Sequence, residues 1–142
     1  MVKNIEHDGI ILAIIISQNY RADGVKFFTP DDFSQQLGYM NHPAGHCIMP
    51  HIHNRLTRTV HFTKEVLVIK SGKVRVDFYD DRKNYIKSTL LTGGDVILLA
   101  FGGHGFQVIE QTELIEIKQG PYAADLDKIR FDPVSADHVV YE

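Results

Sequence analysis

Two neighbouring segments decide how this chain folds: GHCIMPHIH at residues 45–53 and, after a polar connection, EVLVIKSG at residues 65–72. In an extended strand every second side chain lies on the same face, so the spacing of His51 and His53 predicts that both imidazoles point the same way. Glu65 opens the next predicted strand and supplies a carboxylate. The two segments therefore predict adjoining strands that present part of a metal-ligand set on one face.

Strand signals also dominate the rest of the chain. Apolar or alternating segments occur at 10–17, 25–28, 73–80, 85–91, 96–100, 106–110 and 113–118. Ser71-Gly72 predicts a hairpin turn between two of them. A Thr cap followed by Pro predicts one short helix at Pro30–Leu37. Many short strands with almost no helix predict an all-β protein, built as an antiparallel sandwich or barrel.

Length and composition are typical of a single soluble domain. The chain has 142 residues, of which 44% are hydrophobic and 23% charged. That length is sufficient to bury one core, so we predict one domain over residues 1–142. Its barrel core is expected at about 40–120, and residues 121–142 are expected to form a tail that packs over the domain or over a partner.

Charge, cysteine content and hydropathy exclude several classes of partner. A net charge of −3 without a basic cluster argues against nucleic-acid binding. Cys47 has no second cysteine to pair with, which favours a reducing compartment, and a cytoplasmic location is expected. The apolar run Ile10–Ile16 is too short to cross a bilayer. It predicts a strand buried on both faces or covered by a partner subunit, and hence a homodimer.

The predicted ligand set can be extended from the spacing. If the strands carrying His53 and Glu65 form a hairpin with these residues opposed, the turn is centred on residue 59, inside a polar stretch. Directly opposed side chains have Cβ atoms ~4.5–5.5 Å apart, which is close enough to share one ion. His104, in FGGHG at 101–105, is the candidate third imidazole. His61 is the alternative to Glu65, since it precedes Glu65 by four residues.

These motifs resemble those of the cupin superfamily. The first cupin motif runs Gly, five residues, His-x-His, a short gap, Glu, six residues, Gly; this chain matches it with the residues Gly45, His51, His53, Glu65 and Gly72. The gap before Glu65 is longer here, at eleven residues. The second motif is matched more loosely, by Gly94, the segment 100–102 and His104. The resemblance implies that the metal ligands are His51, His53, Glu65 and His104.

The resemblance also implies a fold and a class of function. The expected fold is a single antiparallel jelly-roll barrel with a short N-terminal extension and a C-terminal tail. The expected cofactor is one divalent transition metal ion, Fe, Mn, Ni or Zn, and the expected partner is a small-molecule substrate. The leading hypothesis is a metal-dependent enzyme, isomerase- or epimerase-like, acting on a sugar derivative or a keto or hydroxy acid, similar to small cupins of surface-sugar biosynthesis. The alternatives are an Fe(II) dioxygenase and a non-catalytic binding or sensor module.

Overall fold

The computed structural model describes all residues from Met1 to Glu142. Eight strands follow one another along the chain: β1 (Val2–His7), β2 (Ile10–Ile16), β3 (Gly24–Phe27), β4 (Gly38–Asn41), β5 (Glu65–Tyr79), β6 (Tyr85–Thr92), β7 (Val96–Leu99) and β8 (Gly103–Lys118). Strands account for 46% of the residues. The only helices are two single 3₁₀ turns, Ala124–Leu126 and Ala136–His138. The predicted all-β class is therefore confirmed. Neither of these short helices is long and apolar enough to cross a membrane.

The chain forms two compact units. The first contains residues 1–20 and 62–142, and the second contains residues 21–61. The first unit holds a six-stranded antiparallel sheet, whereas the second holds the two-stranded β3–β4 hairpin. Compactness does not establish whether the units fold separately, so the single domain stays a prediction.

The sheet of the first unit is organised around β5. Its strand order is β1-β2-β7-β5-β6, and β8 lies along the other edge of β5. The first part of β5 pairs with β7, the second part pairs with β6, and β8 follows it along its full length. The sheet curls strongly into an antiparallel half-barrel.

A bulge at Ser71-Gly72 replaces the predicted hairpin turn. β5 continues through these residues, and its pairing with β8 shifts register between Ile69 and Val74. Gly72 has φ +84°, and a Cβ at this position would collide with the carbonyl oxygen of Gln111 on β8. Glycine is required because only a residue without a side chain permits both this angle and this close approach. The hairpin prediction is therefore wrong, because the positive φ produces a bend within one strand.

The core lies on one face of the curled sheet. Core side chains have odd numbers before the bulge, Leu67 and Ile69, and even numbers after it, Val74 to Phe78. This change of parity is what an extra residue in a strand produces. The cluster also contains Ile5 of β1, Leu12, Ala13 and Ile15 of β2, Leu91 of β6, and Ile97 and Leu99 of β7.

The apolar N-terminal run is buried within the chain itself. Leu12 to Ile16 are all buried, and β2 lies between β1 and β7. The prediction of a strand buried on both faces is confirmed. Because its neighbours in the same chain account for the burial, β2 does not by itself require a partner subunit, and the homodimer stays a prediction.

Two predictions in the second unit are wrong. Residues 30–37 form turns instead of a helix, since the Thr29 hydroxyl donates to the Gln36 side chain (2.7 Å) and Gln36 Nε2 donates to the Pro30 carbonyl (2.9 Å). The segment 46–53 is not a strand but an extended, exposed coil. No strand pairs with it, and Pro50 lacks the N–H that a ladder needs.

The C-terminal tail packs on the first unit, as predicted. The Phe131 ring lies 5.0 Å from the Tyr79 ring, and the Val134 N–H donates to the Tyr79 hydroxyl at 2.9 Å. At the end of the chain the Val140 N–H donates to the Tyr85 hydroxyl at 2.9 Å, and Tyr141 forms a parallel bridge with Ser88. The contacts made by residues 140–142 cover part of the free edge of β6.

A buried charge pair lies beside this tail. Asp77 is 2% exposed and accepts two hydrogen bonds from Arg75, Nε to Oδ1 at 2.8 Å and Nη2 to Oδ2 at 3.0 Å. The Ser88 hydroxyl also donates to Asp77 Oδ1. The two hydrogen bonds from Arg75 and the one from Ser88 replace the hydrogen bonds to water that the Asp77 carboxylate loses on burial.

Candidate functional site

The curl of the sheet brings together two of the four predicted ligands, although the β5–β8 register places Glu65 opposite Lys118 and His104 opposite Phe78, at the other end of β5. Glu65 is the first residue of β5 and His104 the second of β8, 39 residues apart. The Nε2 of His104 donates to the Oε2 of Glu65 at 3.1 Å. Both side chains are largely shielded, with 29% of the His104 side chain and 12% of the Glu65 side chain exposed. An imidazole nitrogen and a carboxylate oxygen are thus held in contact.

Gly102 is the backbone element that delivers His104. It has φ +70°, and a Cβ there would collide with the carbonyl oxygen of Tyr79. The chain can therefore pass against the end of β5 before it enters β8. The sequence motif includes this glycine, and its structural role is to let the chain pass close to Tyr79 as it enters β8.

The hydrogen bond from His104 lowers the pKa of the Glu65 carboxyl. Burial opposes this effect by raising the pKa, and the positive charges of Lys118 and Lys128 lower it further. The net direction is downward, so Glu65 is an anion at neutral pH. An anionic oxygen beside an imidazole is a suitable donor pair for a divalent transition ion.

We expect the Glu65 interaction to contribute stability that depends on pH. Because the folded-state pKa of Glu65 is lowered, its stabilising effect is present at neutral pH and is lost as the pH falls through the folded pKa. Metal-stripped Glu65→Gln should therefore have a lower urea midpoint than the wild type at pH 7, and the difference should shrink as the solution is acidified. The control, Glu113→Gln, removes a largely exposed carboxylate and should show a smaller difference at pH 7. A Glu65→Gln deficit that is constant with pH would contradict the ionic origin of the effect.

His51 and His53 lie in the coil of the second unit, where their rings contact each other. The ring centroids are 5.2 Å apart in an edge-on arrangement, and His51 Nδ1 lies 3.1 Å from the Met49 carbonyl oxygen. Both residues are exposed. Two imidazoles are thus close together, but the strand that was predicted to place them on one face is absent.

The predicted hairpin between His53 and Glu65 is wrong. Glu65 is opposed by Leu99 of β7 on one side and by Lys118 of β8 on the other. Both backbone edges at this position are therefore used, and no edge remains for a strand carrying His53. The eleven residues between His53 and Glu65 were predicted to form a hairpin loop, and they do not. His61, the alternative ligand, is exposed and also lies in coil.

Within each unit, no three His, Cys, Asp or Glu side chains form a group that could hold a metal ion. The first unit offers one nitrogen and one oxygen, from His104 and Glu65, and the second offers the two nitrogens of His51 and His53. The donor types fit a divalent transition ion, but each unit supplies only a pair.

A cavity of about 830 Å³ lies in the first unit, and Glu65 and His104 form part of its wall. Its volume falls within the ~300–1,000 Å³ typical of small-molecule sites. Aromatic rings line part of the wall, with Phe62 and Phe101 in edge-on contact at 6.1 Å. The cavity is therefore partly apolar, with the Glu65–His104 pair among its polar groups.

The tail contributes cavity residues that sequence reasoning missed. Asp127 to Phe131 line the cavity, including the cations Lys128 and Arg130. The tail is tied down here by the Thr63 hydroxyl, which donates to Asp127 Oδ1 at 2.6 Å. Apart from the alternation of Lys128 and Arg130 with Ile129 and Phe131, the sequence gives no signal that this segment lines a cavity.

Comparison with known proteins returns no match at the level of family models, curated proteins or solved structures.

Proposed function

We propose that this chain is a metal-dependent cupin-type protein that acts on a small oxygenated molecule, and that its half-barrel is the core of a jelly roll. The observation that carries the proposal is the contact between His104 Nε2 and Glu65 Oε2 on the wall of an 830 Å³ cavity. These two residues were selected from separate motifs, one before and one after the intervening strands. Their contact supports the pairing of those motifs in one site.

The metal ligands in this proposal are Glu65 and His104 together with His51 and His53. A divalent ion would replace the proton that the Glu65–His104 hydrogen bond now shares. Three nitrogens and one carboxylate suit Fe, Mn, Ni or Zn, and an octahedral ion would keep two positions open for substrate. When bound, such an ion polarises a carbonyl or hydroxyl oxygen of the substrate.

The walls of the cavity support a polar substrate of modest size. Phe62 and Phe101 offer apolar surface on which a ring can pack, as sugar rings commonly do on aromatic faces. Arg82, Lys128 and Arg130 line the wall together with acidic side chains such as Asp81. Mixed charge and aromatic surface favour a molecule with several oxygen atoms, such as a sugar derivative or a keto or hydroxy acid.

Metal analysis of protein purified under anaerobic conditions tests this proposal. The wild type should carry about one transition ion per chain. Glu65→Gln keeps the shape and an oxygen donor but removes the charge, so its metal affinity should fall severalfold at neutral pH, and Glu65→Ala should weaken it further. His61→Ala is the matched control and should retain the metal.

The opposite result for these variants would mean that His61 takes the place of Glu65 as a ligand. If His61→Ala empties the site and Glu65→Gln does not, the set is four imidazoles, which favours zinc, copper or nickel. A wild-type chain without any bound transition ion, and without affinity for Fe, Mn, Ni or Zn added under anaerobic conditions, would overturn the proposal. Oxygen consumption by the iron-loaded protein in the presence of candidate substrates would identify the dioxygenase alternative.

A further inference from the structure

Residues 127–134 of the tail run along the cavity between two points of attachment, and we call this segment the strap. At one point the Thr63 hydroxyl donates to Asp127 Oδ1 at 2.6 Å, just before β5 begins. At the other the Val134 N–H donates to the Tyr79 hydroxyl at 2.9 Å, where β5 ends. The strap therefore joins the two ends of the strand around which the sheet is organised.

The length of the strap shows how closely the two ends of β5 approach each other. A fully extended chain covers ~3.6 Å per residue, so the seven steps of the strap span at most ~25 Å. β5 has 15 residues and would be roughly 50 Å long if it were straight. The curl of the sheet brings its ends together, as the contact between Glu65 and His104 also shows. The strap thus spans the gap between these ends, and residues of both ends line the cavity.

The strap is a single layer of chain between the cavity and the surface of the first unit. Its residues from Asp127 to Phe131 line the cavity. Ile129 is nonetheless 77% exposed, and Lys128 and Arg130 are exposed as well. A segment that lines a cavity and is itself exposed forms the outer wall of that cavity. Moving this one segment would therefore open the cavity.

The strap is held at its ends and not along its length. Residues 128–133 make no backbone hydrogen bond. Arg130 Nη1 lies 3.3 Å from Asp125 Oδ1, but the two side chains are 75% and 92% exposed, so this ion pair contributes little. Segments with few buried contacts and without backbone hydrogen bonds open locally far more easily than the whole protein unfolds. The strap is therefore suited to move while the sheet stays folded.

Phe131 supplies the apolar contact that closes the strap. Its ring meets the Tyr79 ring edge-on at 5.0 Å, and Lys83 Nζ lies 5.9 Å from its centroid. Gly103 leaves room for the ring, because a Cβ at this glycine would lie only 3.0 Å from Phe131 Cζ. Since Gly103 directly precedes His104, displacement of Phe131 would uncover the chain next to the imidazole.

We propose that the strap opens and closes over the cavity and so controls access to Glu65 and His104. Opening breaks the two hydrogen bonds at its ends and withdraws Phe131. The rest of the tail stays attached, because residues 140–142 are hydrogen-bonded to β6. A molecule enters while the strap is open, and closure then shields it from water, which strengthens the electrostatic interactions inside the cavity. This inference holds whether or not the cavity binds a metal.

Acylation of histidines by diethyl pyrocarbonate, followed residue by residue with mass spectrometry, tests access to the cavity. Thr63→Val and Tyr79→Phe each remove one hydroxyl that holds the strap and nearly keep the size of the side chain. In Thr63→Val/Tyr79→Phe we expect His104 to be acylated severalfold faster than in the wild type, with a smaller effect in each single variant. The exposed His46 of the second unit is the internal reference, and its rate should not change.

Trypsin reports on the strap itself, because it cleaves after Lys128 and Arg130. Both bonds should be cut severalfold faster in Thr63→Val/Tyr79→Phe than in the wild type. If cleavage accelerates but acylation of His104 does not, the strap moves without controlling access, and the proposal is wrong. Unchanged rates of both reactions would show that the two hydroxyls do not hold the strap closed, which also overturns it.

Tyr85→Phe is the matched control. The Tyr85 hydroxyl accepts the Val140 N–H at 2.9 Å, which is the same kind of bond as that between Tyr79 and Val134 but lies beyond the strap. His104 should be acylated in Tyr85→Phe at the wild-type rate. An acceleration equal to that of Thr63→Val/Tyr79→Phe would mean that any loosening of the tail exposes His104, and would contradict a specific role of the strap. Circular dichroism verifies that every variant keeps its strands.

Discussion

Metal-loaded wild-type protein is expected to lose nearly all of its bound ion when His51 and His53 are both replaced by alanine. The proposed site has four protein donors, and the double substitution removes two of its three nitrogens. Two remaining ligands, Glu65 and His104, bind a divalent ion weakly, so the stoichiometry should fall from about one ion per chain to a small fraction. Metal analysis after gel filtration measures this directly.

A second histidine pair in the same unit provides a matched control. His42 and His46 are stacked, with ring centroids 4.2 Å apart, and neither belongs to the proposed ligand set. His42→Ala/His46→Ala removes the same number of imidazoles and should keep the metal. Both histidines of the ligand pair are exposed, so neither double variant should unfold the first unit. Full metal occupancy in His51→Ala/His53→Ala would show that the ligands lie elsewhere.

Asp77→Ala should produce a large loss of stability. Asp77 is the anionic partner of Arg75, and its removal leaves a guanidinium whose side chain is only 12% exposed without its carboxylate. Removing one partner of a buried ion pair costs ~3–5 kcal/mol. Against a total of ~5–15 kcal/mol for a typical domain, this is a third or more of the free energy of unfolding. Equilibrium unfolding in urea, monitored by circular dichroism, would measure the change.

Two further variants of the Arg75–Asp77 pair show whether the loss of stability in Asp77→Ala arises from an unpaired charge. Arg75→Met/Asp77→Leu replaces both charges by apolar side chains of comparable volume and should recover much of the stability that Asp77→Ala loses. Asp77→Asn keeps the shape and an acceptor oxygen and should be intermediate. If the double variant is less stable than Asp77→Ala, the pair contributes through its hydrogen bonds and not merely by avoiding a buried charge.

The strands of the first unit could be predicted from sequence because alternation is a local property. β2, β6 and β7 begin and end within about two residues of their predicted bounds. The bulge at Gly72 could not be distinguished from a hairpin turn, because both need a glycine with positive φ. Core residues change from odd to even numbers between Ile69 and Val74, and a bulge or a hairpin turn would each allow this change. Only the partner strand decides, and β8 lies far along the chain.

The candidate site shows the same division between local and distant information. The spacing of His51 and His53 predicts two imidazoles on one face of a strand, but this strand is absent. The motifs also predict Glu65 and His104 as ligands, and these two residues are in contact. The predicted register of Glu65 is wrong, because β7 and β8 occupy its two backbone edges. No local sequence pattern reveals these distant partners. The contribution of Lys128 and Arg130 to the cavity depends on where the tail folds back, which only tertiary contacts determine.

The order of the strands along the chain has a kinetic consequence. β5 and β6 are joined by a short turn, and a hairpin of this kind forms in ~1–10 μs. β8, the strand that pairs with β5 along its whole length, is completed only about 40 residues after β5 ends, which takes ~2–8 s at the usual rate of synthesis of ~5–20 residues per second. Until β7 is made the apolar first half of β5 has neither of its neighbours, and until β8 is complete one whole edge of β5 stays unpaired. Such an exposed segment is a natural target for chaperones that bind short extended hydrophobic sequences on the ribosome.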